Sequence, residues 1–215
     1  MSKAERNGKR KGREQSLKLR IPELGYYFIV TDTKETERNY MNGLRDSIPE
    51  ELQGKLVIKV IKTETRHLVE DALNMASINP QYGEPWIIFD RDQVENFDDI
   101  IVEAEKNGIH VGWANPCIEA WFHAYFGAMP RFNDSVDCCD KFAQTYLKKA
   151  KQPYKKNDAD IYLKLIKYGN EDDAIKIAED KWKFHISNGN STPSEMSPCT
   201  TIHTLIKEIK SKIKK

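Results

Sequence analysis

The chain has 215 residues, of which 39% are hydrophobic and 31% are charged, and its formal net charge is +1. This length and composition predict a soluble globular protein with one well-filled core and one or two domains. No apolar run approaches the roughly 18 to 20 residues of a membrane-spanning helix, and no signal-peptide core opens the sequence, so we expect a cytoplasmic protein.

Residues 1–20 form a strongly basic segment, with eight Lys or Arg residues against two Glu and few apolar residues. Such a composition predicts a disordered basic arm. Its side chains would gain affinity for a phosphate backbone by releasing counterions, although a solvated tail without a partner is an open alternative. The candidate nucleic-acid contacts, in the arm and further along the chain, are Lys9, Arg10, Lys11, Arg13, Lys34 and Arg91.

Four apolar runs alternate with helical patterns in residues 21–128. Strands alternating with single helices predict an α/β core with a mostly parallel, four-stranded sheet that is flanked by helices. The predicted strands cover residues 25–32, 55–62, 84–90 and 108–114, and the helices between them cover about 36–46, 68–76 and 97–104.

Residues 129–215 read as a helical region that packs on this core. A helix is expected from Asn115, with Asn115 as its N-cap and Pro116 at the first helical position. Ser197 and Pro198 repeat this pattern before a last helix, whose apolar face carries Ile202, Leu205, Ile206, Ile209 and Ile213. Further helices are expected near 135–149, 158–168 and 171–185.

Asp90 and Asp92 follow the third predicted strand in "IIFDRDQ". Side chains two residues apart in a strand lie on one side, and ligands of parallel sheets bind at the carboxyl ends of the strands. Two carboxylates placed there suit Mg²⁺ or Mn²⁺. The alternative is that both residues cap a turn, which Asp favours in any protein.

Asp32 ends the first predicted strand and should emerge at the same edge of the sheet. It is a candidate third metal ligand, but with Glu35 it also resembles a capping box. Glu37 and Glu119 each lie in or near the first turn of a predicted helix. Either could support a site, and either could instead lie on a solvated face or beside a compensating charge.

The remaining titratable residues show no recognised catalytic spacing. The five histidines lack an HxxxH or HExxH pattern, and the chain contains neither a P-loop nor a GxGxxG motif. Four cysteines form no Cys-x-x-Cys pair, which favours free thiols over a disulfide framework or a zinc site. They are Cys117, Cys138, Cys139 and Cys199.

Four motifs in order resemble the RloB-like family, small bacterial proteins with a Toprim-like (Rossmann-like) domain. They span about residues 26–208 and comprise Thr36-Glu37 with Asn39-Tyr40, "FDRD" (89–92), "NPCIEAWF" (115–122) and "SPCTTIHTL" (197–205). One position departs from the family pattern. The Glu-Gly that follows the first strand is Asp32-Thr33 here, and the next Glu is Lys34.

The resemblance implies a phage-defence protein of the abortive-infection type, linked to restriction–modification systems and acting with a partner ATPase. It also implies Mg²⁺-dependent phosphoryl transfer on DNA or RNA. Asp32 would be the general acid or base, Asp90 and Asp92 would hold Mg²⁺ or Mn²⁺, and Glu37 and Glu119 would support the reaction. The departure at Asp32, together with the basic arm, leaves as an alternative a degenerate module that binds nucleic acid or a partner without cutting. The charged faces of the helices in 135–185 leave another, a helical scaffold for the ATPase.

Overall fold

The centre of the protein is a mostly parallel sheet of five strands. The structure is a computed structural model that describes residues 22–32, 35–78, 83–92 and 94–214. The strand order is β2-β1-β3-β4-β5, with β1–β4 parallel to one another and β5 antiparallel to β4. The strands are β1 (Gly25–Thr31), β2 (Leu56–Lys62), β3 (Glu84–Asp90), β4 (His110–Asn115) and β5 (Cys199–Thr200).

Helices cover both faces of this sheet, which confirms the predicted α/β, Rossmann-like architecture. Three of them connect the parallel strands and the others follow β4. The helices are α1 (Glu35–Asp46), α2 (Leu68–Ile78), α3 (Phe97–Lys106), α4 (Glu119–Ala124), α5 (Ser135–Ala150), α6 (Ile161–Tyr168), α7 (Glu171–Ser187) and α8 (Ile202–Ile213). None of the helices in the described ranges combines the length and apolar character that crossing a bilayer requires.

The two faces of the sheet bury different sets of helices. Ile29, Trp86 and Ile88 lie on what we call the first face, in a core cluster shared with α1 and α4–α8. Val30 and Ile87 lie on the second face, in a cluster shared with α2 and α3. Because side chains alternate along a strand, each β-strand contributes to both cores.

Two predicted helix starts are wrong, and for the same reason. Asn115 ends β4 instead of capping a helix, since it pairs with Cys199 and its side-chain amide donates to the carbonyls of Pro193 and Ser194 at 3.0 Å. The helix after it begins only at Glu119. Ser197 and Pro198 likewise precede β5, which the sequence did not reveal, so the sheet has five strands rather than four.

The last helix confirms its predicted apolar face. Four of the five predicted positions in α8 are fully buried on the first face, and Ile213 is partly buried there. The sheet and the helices after residue 128 thus share one core cluster. The division into an α/β core and a C-terminal region at residue 128 stays a prediction.

A buried carboxylate connects the helices of the first face. Glu171, the first residue of α7, accepts hydrogen bonds from the hydroxyls of Tyr125 (3.0 Å) and Tyr162 (3.2 Å). Lys210 of α8 lies 2.8 Å from its other oxygen, and Tyr125 also bonds the Tyr40 hydroxyl of α1 at 2.8 Å. Burial lowers the pKa of Lys210, but its bonds to Glu171 and Asp172 outweigh that effect and raise it.

Removing this carboxylate should destabilise the fold strongly. We expect Glu171→Ala to lower the free energy of unfolding by about 3 kcal/mol or more, because two buried hydroxyls and Lys210 lose their shared acceptor. Chemical denaturation followed by circular dichroism measures the loss. The matched control is Asp172→Ala, which removes a 71% exposed partner of the same Lys210 and should cost less than about 1 kcal/mol. Equal losses in both variants would contradict this account.

His123 of α4 gives the fold a pH dependence. Its ring lies between those of Phe132 and Phe142, at centroid distances of 5.2 and 5.5 Å, and its Nε2 has no hydrogen-bond partner among the described residues. Burial, followed by the charge of Lys141, lowers the pKa of His123 from 6.5 to about 4. At pH values between these two pKa values, His123 therefore binds a proton in the unfolded chain but not in the folded chain.

We expect the stability to fall as the pH is lowered from about 6.5 to about 4, where His123 is neutral when folded and charged when unfolded. His123→Phe, which keeps an aromatic ring beside Phe142, should make this slope shallower. Unfolding midpoints measured across this pH range test the effect. Burial also lowers the pKa of His203, so stability should retain some pH dependence in both the wild type and the variant. An unchanged slope in the variant would assign the dependence to other groups.

Candidate functional site

Asp90 lies at the carboxyl end of β3 on the first face of the sheet. It is 3% exposed and pairs in register with Ala114 of β4, whose side chain lies in the first-face core. Ile88, two residues earlier, lies in the same core cluster. Strand alternation therefore directs Asp90 towards α4 and α5, the helices that follow β4.

Glu119, the first residue of α4, is 2% exposed. Its Oε1 accepts a hydrogen bond from the Tyr154 hydroxyl at 2.9 Å and lies 3.9 Å from the Lys156 ammonium. A buried carboxylate needs such partners because burial disfavours its charge. The sequence analysis left open whether Glu119 lay on a polar surface or beside an offsetting charge, and the structure shows the second.

Asp90 and Glu119 both act electrostatically on one thiol of α5. The hydrogen bond with Cys117 lowers the pKa of Cys138, but burial and the charges of Glu119 and Asp90 outweigh this and raise it. The two carboxylates come from the end of β3 and from the start of α4.

Asp92 lies beyond the end of β3, so the two-residue alternation that placed it beside Asp90 does not extend to it. Its φ of 22° is unusual for a residue other than Gly. The Asp92 amide donates to the Pro116 carbonyl at 2.9 Å, and its Oδ1 accepts from the Ser135 hydroxyl at 2.6 Å. Asp92 therefore also meets the start of α5, through Ser135 instead of through strand geometry.

Asp32 follows β1, the strand that pairs with β3. It is 5% exposed, and its Oδ2 accepts a hydrogen bond from the Thr65 hydroxyl at 2.8 Å. Thr65 begins the turn that leads into α2, a helix of the second face. The sheet thus holds Asp32 towards its second face and Asp90 towards its first.

The capping box predicted for Asp32 and Glu35 does not form its return bond. In that motif the Glu side chain accepts from the amide of the cap residue. Here the Asp32 amide donates to the Ile88 carbonyl at 3.2 Å, while Glu35 lies 3.2 Å from the Lys62 ammonium. Asp32 is therefore tied to β3 and to Thr65.

Glu37 is fully buried in the first turn of α1, so the solvated-face alternative is wrong for this residue. The adjacent Thr36 donates its hydroxyl to the Lys156 carbonyl at 2.9 Å. Lys156 in turn places its ammonium near Glu119. The start of α1 and the surroundings of Glu119 are thus joined through one residue of the α5–α6 connection.

An open cleft of about 420 Å³ contains Asp92 as its one lining residue among the five candidate carboxylates. Its lining also includes Arg91, Asn115, Ser135 and Ser194. The Arg91 Nη1 donates to the Asp92 carbonyl at 3.0 Å, whereas its buried Nε has no partner within the described ranges. A larger cavity of about 920 Å³ lies between α3, α7 and α8 and touches none of the predicted carboxylates. Its lining includes Trp113 and Trp182.

The sequence analysis missed one grouping. The ligand atoms of Cys117, Glu119 and Cys139 all lie within 4.8 Å of one another, and they form the one such trio found among the described His, Cys, Asp and Glu residues. All four cysteines are free thiols. The metal role of Asp32, Asp90 and Asp92 stays a prediction, since these three do not form such a trio.

Of the predicted nucleic-acid contacts, Arg91 lies at the cleft described above. The others, Lys9, Arg10, Lys11, Arg13 and Lys34, lie outside the described residues, as does the predicted basic arm. Their role stays a prediction.

The comparison with known families agrees with the order of motifs along the chain. No curated protein and no solved structure gives a significant match. The family model of the RloB-like proteins matches residues 27–209, a range that includes all five candidate carboxylates. The chain therefore belongs to the RloB-like family.

Proposed function

We propose that this RloB-like protein is a Mg²⁺- or Mn²⁺-dependent, Toprim-type nuclease that hydrolyses phosphodiesters of nucleic acid. The observation that carries the proposal is the position of Asp90 and Asp92 at the carboxyl end of β3, where Asp92 bonds Ser135 at the start of α5 and lines an open polar cleft. Ligands of parallel sheets bind at this carboxyl edge. A phosphate in the cleft would meet the guanidinium of Arg91.

The donor atoms at this edge suit a hard cation. Mg²⁺ is usually held by one or two carboxylates and keeps several waters, with substrate phosphates completing its shell. Asp90 and Asp92 would supply those carboxylates, since Asp92 lines the open cleft. Asp32, the proposed acid or base and third ligand, contacts Thr65 and approaches from the β1 side.

Glu37 and Glu119 would support the reaction from the helices. The hydrogen bond from Tyr154 and the nearby ammonium of Lys156 hold the Glu119 carboxylate in its buried position. A bound divalent ion would polarise the phosphoryl oxygen and stabilise charge in the transition state. The chain's own part is to position the phosphodiester in the cleft and to move the proton of the attacking water.

Family membership supports the biological side of the proposal. Phage defence by abortive infection, linkage to restriction–modification systems and a partner ATPase are what resemblance to the RloB-like family implies. The basic residues of the N-terminal segment and Lys34 would add sequence-independent contacts to the nucleic acid backbone.

Asp90→Asn tests the catalytic proposal. The change keeps the side-chain shape and removes the charge, so we expect cleavage of DNA or RNA with Mg²⁺ or Mn²⁺ to fall by about 10²-fold or more, a loss that a misplacement of about 1 Å already causes. Cleavage assays on the purified full-length chain measure it. Asp99→Asn, an exposed carboxylate in α3, is the control and should retain full activity. Undiminished cleavage by the Asp90 variant would refute the proposal.

A second candidate function is binding without cleavage. It is favoured by the position of Asp32, which lies towards the second face and bonds Thr65, at the point where the family pattern has Glu-Gly. Under this alternative, calorimetry would detect no Mg²⁺ or Mn²⁺ binding, and nucleic acid affinity would fall steeply with salt.

Replacing the arm residues together tests the nucleic-acid contacts of the arm, which both candidate functions predict. With Lys9, Arg10, Lys11 and Arg13 changed to Ala, we expect the slope of log affinity against log salt to become shallower by about 0.9 for each lost duplex phosphate contact. Fluorescence anisotropy at several salt concentrations measures the slope. Changing four exposed lysines of α5 and α7 to Ala, Lys148, Lys149, Lys176 and Lys183, gives a control of equal charge. The same change of slope in both variants would exclude a specific role for the arm.

A further inference from the structure

Two thiols and one carboxylate from separate parts of the chain meet beside α5. Cys117 lies in the β4–α4 connection, Glu119 begins α4, and Cys139 lies in the second turn of α5. Their ligand atoms all lie within 4.8 Å of one another, and the two sulfurs are 3.9 Å apart. Two thiolates at about 2.3 Å from one tetrahedral Zn²⁺ lie about 3.8 Å apart, so the sulfur pair has the spacing of zinc ligands.

The groups around this trio resemble those that surround protein-bound metal ions, because they hydrogen-bond a ligand and balance its charge. Zinc-bound carboxylates and imidazoles are usually held by further hydrogen bonds, and Glu119 accepts one from Tyr154. Two thiolates and one carboxylate carry three negative charges. One divalent ion and the Lys156 ammonium, 3.9 Å from Glu119, balance them. Cys117 also packs in a small buried cluster with Ala120 and Cys138, against which the partly buried Cys139 lies.

We propose that Cys117, Glu119 and Cys139 bind a thiophilic divalent cation, Zn²⁺, in a site distinct from the proposed Mg²⁺ site. Thiolates are soft ligands that select zinc over the hard cations preferred by an all-carboxylate site. Three protein ligands leave the fourth position of a tetrahedral ion to water. The inference goes beyond the proposed nuclease, in which Glu119 has a supporting role but is not one of the proposed Mg²⁺ ligands.

Such an ion would join parts of the fold that are far apart in sequence. It would tie the connection after β4 to the second turn of α5, beside Asp90 and Asp92. Since metal binding to a folded site stabilises the folded state, zinc should raise the unfolding temperature of the full chain. The increase should depend on the zinc concentration.

The test starts with the full-length chain, reduced and stripped of metal by a chelator. We expect it to take up one Zn²⁺ per chain, measured by elemental analysis after removal of free ion. Co²⁺ in place of Zn²⁺ should give the intense ligand-field bands of a tetrahedral ion and a thiolate-to-cobalt charge-transfer band. Uptake of less than one ion per chain, or a cobalt spectrum without that band, would overturn the proposal.

Variants show which residues bind. Cys117→Ser and Cys139→Ser should lose the charge-transfer intensity and the stoichiometric uptake, and Tyr154→Phe should weaken zinc affinity by about 10- to 100-fold. Cys199→Ser is the matched control, because Cys199 is a buried free thiol outside the trio and should leave binding intact. Circular dichroism confirms that each variant is folded. Equal loss of zinc in the control would refute the assignment.

Two further results separate this site from its alternatives. Asp90→Asn should retain zinc even where it abolishes cleavage, so failure of the nuclease proposal leaves this one standing and the reverse also holds. Loss of zinc in that variant would place the ion at the sheet edge instead. The proposal would also be overturned if mass spectrometry finds a Cys117–Cys139 disulfide in protein that was first reduced and then supplied with zinc.

Discussion

The buried carboxylate of Glu171 is the constraint on which the arrangement of the first face depends. Burial of a carboxylate is unfavourable unless hydrogen bonds and an opposite charge offset it. The hydrogen bonds come from Tyr125, directly after α4, and from Tyr162 in α6. The opposite charge is that of Lys210 in α8. All of these elements must therefore reach one point. Tyr125 also shares a hydrogen bond with Tyr40, which adds α1 to the elements held at this point.

This constraint positions the candidate site as well as the core. Helix α4 has only six residues between Glu119 and Ala124, and Tyr125 follows directly, so holding Tyr125 at Glu171 also sets the position of Glu119. The bond from Tyr125 to Tyr40 acts in the same way on Glu37, one turn earlier in α1. The buried carboxylates are thus oriented by hydrogen bonds made one or two helical turns away.

The sequence predicted most of the sheet and helices, because apolar periodicity reports directly on burial. It failed where tertiary contacts decide the outcome. β5 has only two residues, too few for a pattern, and Asn115 carries a cap signature that its strand partner overrides. The end of β3 at Asp90 was predicted, because an apolar run stops there. The bond between Asp32 and Thr65 was not, because it joins residues 33 positions apart. The sequence did not reveal the group of Cys117, Glu119 and Cys139, because its cysteines lack a Cys-x-x-Cys spacing.

The two proposed metal sites would take different cations because their ligands differ. Thiolates such as those of Cys117 and Cys139 select a soft ion, whereas the carboxylates of Asp90 and Asp92 suit a hard one. With Zn²⁺ bound and two protons released, the two thiolates, the Glu119 carboxylate, the Lys156 ammonium and the ion would sum to zero charge. Zinc would therefore add no net charge to the group around Glu119, and the charge that the thiolates bring would be neutralised where it arises.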